Sequence, residues 1–528
     1  MLRAAALLCL TAAHAAPSHL YVSPAGSDAG DGTQAAPFLT FQKAQAAARA
    51  LAPGLTEDLL IHFRAGAYFQ AATISLTSAD SGASAGARVR YVAGWPGDAP
   101  GAPATLHAGV AVAGWALSDA ARGIWSAPLP QGIADTRQLF NASAGAGGAS
   151  LPKAPAGGLG PHAAITATGY TALAADVPWL TDPHQNAGDV EFVYTGVGSS
   201  WTECRLRVAS VAALPGGVLN ITMAQPAWSF HSRAYGQALS YPASSANVYA
   251  GLAGTPGAFA VNAAARTLQW GGGAGSAEPP QGLVVPALDV LMELRGDSPA
   301  APLRWVAFEG LAFSFAGWLE PNSGLGYVDM QSGYRLVSHD FAPSDDDHWL
   351  PVPGNIQVHV AQNISFAGCT FAGFGATALA ILDSSQSVSV RDSNFSHIAC
   401  SSVGLGQVSD VNTSVALENG YFAVEGNLVQ DTPNEFHDCA GILGGYVVGS
   451  SISNNAILSP SNGGICLGWG WSRDEAVNAG WNNISRNYIY RSNWLLEDCG
   501  SIYVLGPQPQ SLMNENMCSH QVSRWCRQ

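Results

Sequence analysis

Two aspartates, Asp438 and Asp498, occupy matching places in a pattern that recurs through the last third of the chain, each three residues before a small residue and an isoleucine, Gly441-Ile442 and Ser501-Ile502. A pair of carboxyls held at fixed separation is what cofactor-free cleavage of a glycosidic bond ordinarily requires. One carboxyl protonates the leaving oxygen and the other acts as base or nucleophile. The pair is the expected catalytic set. Glu435 and Glu497 stand beside it and exchange roles with it if the strand phase slips by one residue. His437 is placed to orient or tune a carboxyl. Trp469, Trp471 and Tyr503 offer aromatic faces for the apolar side of a sugar ring, so with His437 and Glu497 they are the expected substrate contacts. Each also has a structural use: an aspartate caps a turn amide, and a tryptophan packs a core.

The element that must hold these residues is a repeat. Asn427-Leu428-Val429, Asn455-Ala456-Ile457, Asn487-Tyr488-Ile489 and Asn516-Met517-Cys518 recur every two to three dozen residues. Asparagines stacked along a solenoid axis can hydrogen-bond from turn to turn, which gives such a phase a mechanical reason. A second column runs through Ser402-Val403, Gly441-Ile442, Gly464-Ile465 and Ser501-Ile502. With adjacent strands about 4.8 Å apart, Asp438 and Asp498 fall two coils, or roughly 9–10 Å, from one another. That separation favours inversion weakly. The same spacing places Cys400 and Cys439 one coil apart, where a disulfide and a stack of free thiols are equally natural, while Cys439 and Cys499 are too distant.

The chain has 528 residues, 60 of them glycine, with 48% hydrophobic and 11% charged residues, and this favours many short strands joined by tight turns. The expected fold is all-β, a right-handed parallel β-helix solenoid with an inserted or accessory β-sandwich-like domain. We divide it into a signal peptide (1–15), an N-terminal cap and first coils (16–135), the insertion (136–300), β-helix coils (301–518) and an irregular, truncated tail (519–528). The leader closes on Ala13-His14-Ala15, and sequons lie at Asn141, Asn220, Asn363, Asn394, Asn412 and Asn483, so the expected location is extracellular.

Motifs along the chain resemble a known family. Tyr21-Val22-Ser23-Pro24, Asp31-Gly32-Thr33 and Pro37-Phe38 open it; Gly441-Ile442, Gly445-Tyr446-Val447, Gly468-Trp469-Gly470-Trp471 and Asp498-Cys499-Gly500-Ser501-Ile502-Tyr503 come later in the chain. Together they resemble the pectin-lyase-like right-handed parallel β-helix proteins, and more narrowly the secreted β-helical glycoside hydrolases with an inserted β-sandwich, which include fucosidases and xylanases. The resemblance implies an enzyme that hydrolyses a cell-wall or algal polysaccharide. The chain departs from it with Cys499 where the family has a glycine, and in stopping at Gln528 where relatives add further coils.

A formal charge of −15 and two lysines, Lys43 and Lys153, argue against nucleic acid and anionic membranes, and favour a neutral glycan as partner. No cofactor or metal is expected: the acidic run Asp345-Asp346-Asp347-His348 carries calcium-type ligands but reads as a solvated loop. The alternatives are a polysaccharide lyase, with Arg391, Arg473, Arg486 or Arg491 supplying the cation, and a non-catalytic glycan-binding or structural solenoid.

Overall fold

The computed structural model describes residues 19–521 except 96–97, 99–100, 145–147, 197–199, 234–239, 339–348, 409–412 and 470–477. The leader, Asn412, Asp345–His348, Trp471 and Arg473 lie outside the described residues.

Short strands stack into three parallel sheets of ten, eight and nine strands, wound as a right-handed parallel β-helix. The ten-stranded sheet begins at His19–Val22 and ends at Leu512–Asn514; the eight-stranded one runs from Ile74–Leu76 to Ile502–Val504, and the nine-stranded one from Gly66–Phe69 to Met517–Ser519. Alternation along each strand sends one set of side chains inward, where like stacks on like. Phe308 lies 5.0 Å from Phe366, and Phe371 lies 4.6 Å from Phe395 with parallel rings. The α-helix Phe41–Leu51 closes the first coil. Its N-cap Thr40 accepts the Lys43 amide, and Phe41, Ala44 and Ala48 are buried.

The asparagine phase is a ladder. Asn427 Nδ2 donates to Asn455 Oδ1 at 2.9 Å, Asn455 to Asn487 at 3.0 Å, and Asn487 to Asn516 at 2.9 Å. Each Oδ1 also accepts the backbone amide of the preceding asparagine, and each Nδ2 reaches a carbonyl of the previous coil. Gly426, Asn454, Arg486 and Glu515, just before the four ladder residues, all have φ between 50° and 70°. A left-handed residue turns the corner there, and the next side chain supplies the partner that a sheet would otherwise give. The second column is in register too, Val403↔Ile442↔Ile465↔Ile502. Cys400 and Cys439 form a disulfide with Cα atoms 5.3 Å apart.

Between the β-helix strands Ala104–His107 and Met292–Arg295 the chain leaves the solenoid and builds antiparallel sheets, so the excursion starts earlier than composition suggested. Two of its strands turn a polar face to the β-helix. In Glu191–Thr195 and Glu203–Leu214, which pair antiparallel, Phe192, Tyr194, Cys204, Leu206 and Val208 fill an apolar cluster that the insertion shares with Ala440, Leu443, Tyr446 and Trp469 of the β-helix. Period two then puts Glu191, Val193 and Thr195 opposite Arg207, Arg205 and Glu203 on the other face, toward the β-helix.

Candidate active site

The polar face of the insertion and the loop Asp431–His437 of the β-helix enclose a cleft of about 770 Å³. The insertion supplies Arg137, Gln138, Ser150, Lys153, Val193, Thr195 and Arg205; the β-helix supplies Phe374, Asp431, Asn434, Glu435, His437, Leu495 and Glu497.

At its base Glu435 is gripped on both oxygens. Oε1 lies 3.0 Å from Lys153 Nζ and 2.9 Å from an Arg137 nitrogen, and Oε2 accepts from Gln138 Nε2 at 3.1 Å. Burial pushes this carboxyl up, but Arg137, Lys153 and Arg205 together outweigh burial and hold it below the ordinary glutamate value. Behind it Glu191 pairs with Arg137 and Arg205, and Glu203 pairs with Arg205, all with nearly inaccessible side chains. Three cations thus face three carboxylates, and the charges of this cluster offset one another. Lys153 is pushed down to about 8 by burial and by Arg137. His437 Nδ1 lies 2.9 Å from Glu203 Oε2, so a buried carboxylate fixes the ring while its edge lines the cleft. Glu203 itself, despite burial, is lowered to about 2 by Arg205 and His437. On the rim Asp431 pairs with His397 and accepts from Asn434.

Of the residues singled out from sequence, Glu435, Glu497 and His437 meet in this cleft. Asp438 and Asp498 do not line it. Asp438 is 0% exposed: its side chain points away into the seam, accepts the Tyr327 hydroxyl, and is hydrogen-bonded to the carboxyl of Asp329. Asp329 Oδ2 and Asp438 Oδ1 meet no other donor, and two acids bond to each other only with a proton between them. Burial, then Glu203, raises Asp438 to about 7, and burial together with Asp438 drives Asp329 well above the ordinary value. Asp498 sits exposed on a left-handed turn, φ 62°. Trp469 is 3% exposed, its ring 4.4 Å from Tyr334 and 5.4 Å from Trp349, so it packs a core instead of presenting a face to solvent. Tyr503 packs partly buried against that same core and does not line the cleft. Arg391 and Arg486 lie outside the cleft lining, beside Glu425 and Glu515. Sequence reasoning missed Arg137, Lys153, Glu191, Glu203 and Arg205. Their one legible signal was the alternation of charge at Glu203 and Arg205 within an apolar strand.

No protein-family model matches the chain, and no curated protein resembles it in sequence. Solved structures do. One titled glycoside hydrolase superposes with a TM-score of 0.79 at 22% identity, over 95% of this chain and 87% of that one. A complex titled XylC with xylose gives 0.43 at 11% identity over 93% and 64%, and a GH136 lacto-N-biosidase from Eubacterium ramulus 0.29 at 8% over 96% and 68%. At such identities the first likeness speaks for the fold alone.

Proposed function

We propose that the protein is a secreted glycoside hydrolase acting on a neutral cell-wall or algal polysaccharide, with Glu435 and Glu497 in the cleft doing the work first assigned to Asp438 and Asp498. The observation that carries this is a cleft of ligand size lined by carboxyl-bearing residues from two loops of the β-helix, two coils apart. Glu435, held ionised by its cations, is suited to act as base or nucleophile, or to stabilise positive charge developing at the anomeric carbon. Glu497, which lines the same cleft, takes the other carboxyl's part and protonates the leaving oxygen. His437, braced by Glu203, orients a sugar hydroxyl or the attacking water. The balance of three cations against three carboxylates leaves no net positive field for an anionic sugar, in keeping with a neutral substrate.

A lyase is the second reading, favoured by one observation: Lys153 lines the cleft and is lowered toward neutrality, as a proton-abstracting base would be. The test is release of reducing ends from a panel of cell-wall and algal polysaccharides, followed together with ultraviolet absorbance of unsaturated sugars. Reducing ends without unsaturation, lost in Glu435→Gln and Glu497→Gln, support hydrolysis. Unsaturated products formed at a rate that climbs with pH through about 8 would replace it with elimination, and binding without product would leave a glycan-binding solenoid.

A further inference from the structure

Beyond the Cys400–Cys439 bridge, a second sulfur pair spans the next coils. Cys466, on the strand Ile465–Leu467, is 4% exposed, and its Sγ lies 3.6 Å from the Sγ of Cys499. Nothing separates the two atoms, and the contact leaves a small side-chain rotation between them and a bond of about 2.05 Å. Cys466 Sγ also accepts the Ser332 hydroxyl at 3.6 Å, and hydrogen bonding from Cys499 favours its thiolate.

The position of Cys499 gives the pair a consequence. It ends the segment that carries Glu497 to the cleft, a segment otherwise held by hydrogen bonds: Glu497 N–H to the Ser200 carbonyl at 2.9 Å, Leu496 N–H to Ser461, and Asn493 Nδ2 to the Cys499 carbonyl at 2.8 Å. Gly463 explains how two sulfurs fit here. A Cβ at that position would stand 2.7 Å from both.

We infer that Cys466 and Cys499 are a second disulfide site, a covalent clamp on the segment that presents Glu497. The oxidant is a small disulfide such as oxidised glutathione. Cys499, whose thiol the hydrogen bond to Cys466 and then burial hold high, first gives up its proton to solvent. The thiolate so formed attacks one of the oxidant's sulfurs, forming a mixed disulfide and releasing one glutathione. The Cys466 thiolate then attacks Cys499 Sγ and expels the second. The protein loses two electrons and two protons, and the oxidant becomes two thiols. Cys499, the more accessible sulfur, is the entry point, and buried Cys466 resolves. The bearing of the clamp on turnover rests on the role proposed for Glu497; the bond itself does not.

The full chain, reduced and then equilibrated with oxidised glutathione, should be alkylated, digested with pepsin without reduction, and mapped by mass spectrometry. The expected result is a peptide pair joined through Cys466 and Cys499, with both thiols lost from alkylation. Amide exchange in residues 493–499 should slow on oxidation of the wild type and not of Cys499→Ser. Cys466 and Cys499 both alkylated, Cys499 left as its glutathione adduct, or Cys499 joined to Cys518 would overturn the inference, and none of these outcomes depends on whether the protein has the proposed activity. Should Cys499→Ser fail to fold, the wild-type map decides alone.

Discussion

Lys153 Nζ, carried by the insertion, stands 3.0 Å from Glu435 Oε1, carried by the β-helix 282 residues later. The pair ties the insertion to the β-helix across the floor of the cleft, and Arg137 completes the grip from the insertion side.

Replacing Glu435 by glutamine keeps the shape and removes the anion. Loss of one catalytic carboxyl ordinarily costs 10²–10⁴-fold in rate, and a fall in kcat of about that size is expected, with KM changed far less. Initial rates of reducing-end release measure it. Asp498→Asn, on an exposed turn, should leave the rate within about twofold.

Arg137 is 0% exposed in its side chain and faces both Glu191 and Glu435. Arg137→Met takes one cation from two carboxylates, leaving Glu191 with Arg205 and Glu435 with Lys153. The loss should therefore stay below that of a fully broken buried pair, about 3–5 kcal/mol. Chemical denaturation should show a lowered midpoint with little change in slope.

The Asp329–Asp438 pair predicts a pH dependence with a definite sign. An unfolded aspartate titrates near 3.8, while Asp438 in the fold keeps its proton up to about 7. The stability this contributes is complete below about pH 4 and is lost as pH rises through 7; Asp329 adds in the same direction. The carboxylates held low, Glu191, Glu203 and Glu435, have finished their own change by about pH 5, and Lys153, lowered to about 8, acts in the opposite direction only above that value. His231, lowered by burial to about 4, and His62 and His107, also lowered by burial, act in the opposite direction up to about pH 6.5. The contribution of the pair itself, a fall of roughly 2–4 kcal/mol between pH 5 and 8, is therefore read as the difference between wild type and Asp438→Asn. Asp438→Asn should flatten the decline, which denaturation midpoints at the two pH values would show.

Asn455→Ala interrupts the ladder in its middle. It removes the acceptor of the Asn427 amide and the donor to the Val424 carbonyl, both buried. A loss of about 1–3 kcal/mol is expected from groups left unsatisfied, again read from the denaturation midpoint, with activity unchanged wherever the protein remains folded.

How far these features were legible depends on how far apart in sequence their partners lie. Asn427, Asn455, Asn487 and Asn516 repeat at the spacing of one coil, so the ladder and the Val403–Ile502 column could be read directly. The cleft could not. Its floor joins Arg137, Lys153 and Arg205 to Glu435, and no periodicity relates an antiparallel insertion to the solenoid it covers. Within the β-helix the error was local: Asp438 was placed by its column, correctly, but the strand Tyr327–Gln331 seals it in. That strand, in the connection between the β-helix strands Ala312–Ala316 and Gly354–His359, pairs with the insertion and brings Tyr327 and Asp329 over Asp438. Glu435, three residues earlier on the same loop, lines the cleft, where the insertion meets it with the polar side chains of Arg137, Gln138 and Lys153.

The excursion between His107 and Met292 also bears on the order in which the molecule assembles. From Leu303 onward each coil pairs with one only a few dozen residues away, so pairing can propagate from coil to coil with small loop-closure entropy at each step. The strand Val89–Ala93 must instead find Leu303–Glu309 across more than two hundred intervening residues. That encounter carries the large entropic penalty of a distant contact until the insertion has condensed and brought its two ends together. The topology thus makes the insertion a folding gate. The C-terminal coils can form early, while the N-terminal coils and their capping helix join the stack last, and a lesion in the insertion core would slow that final docking even where it leaves the cleft untouched.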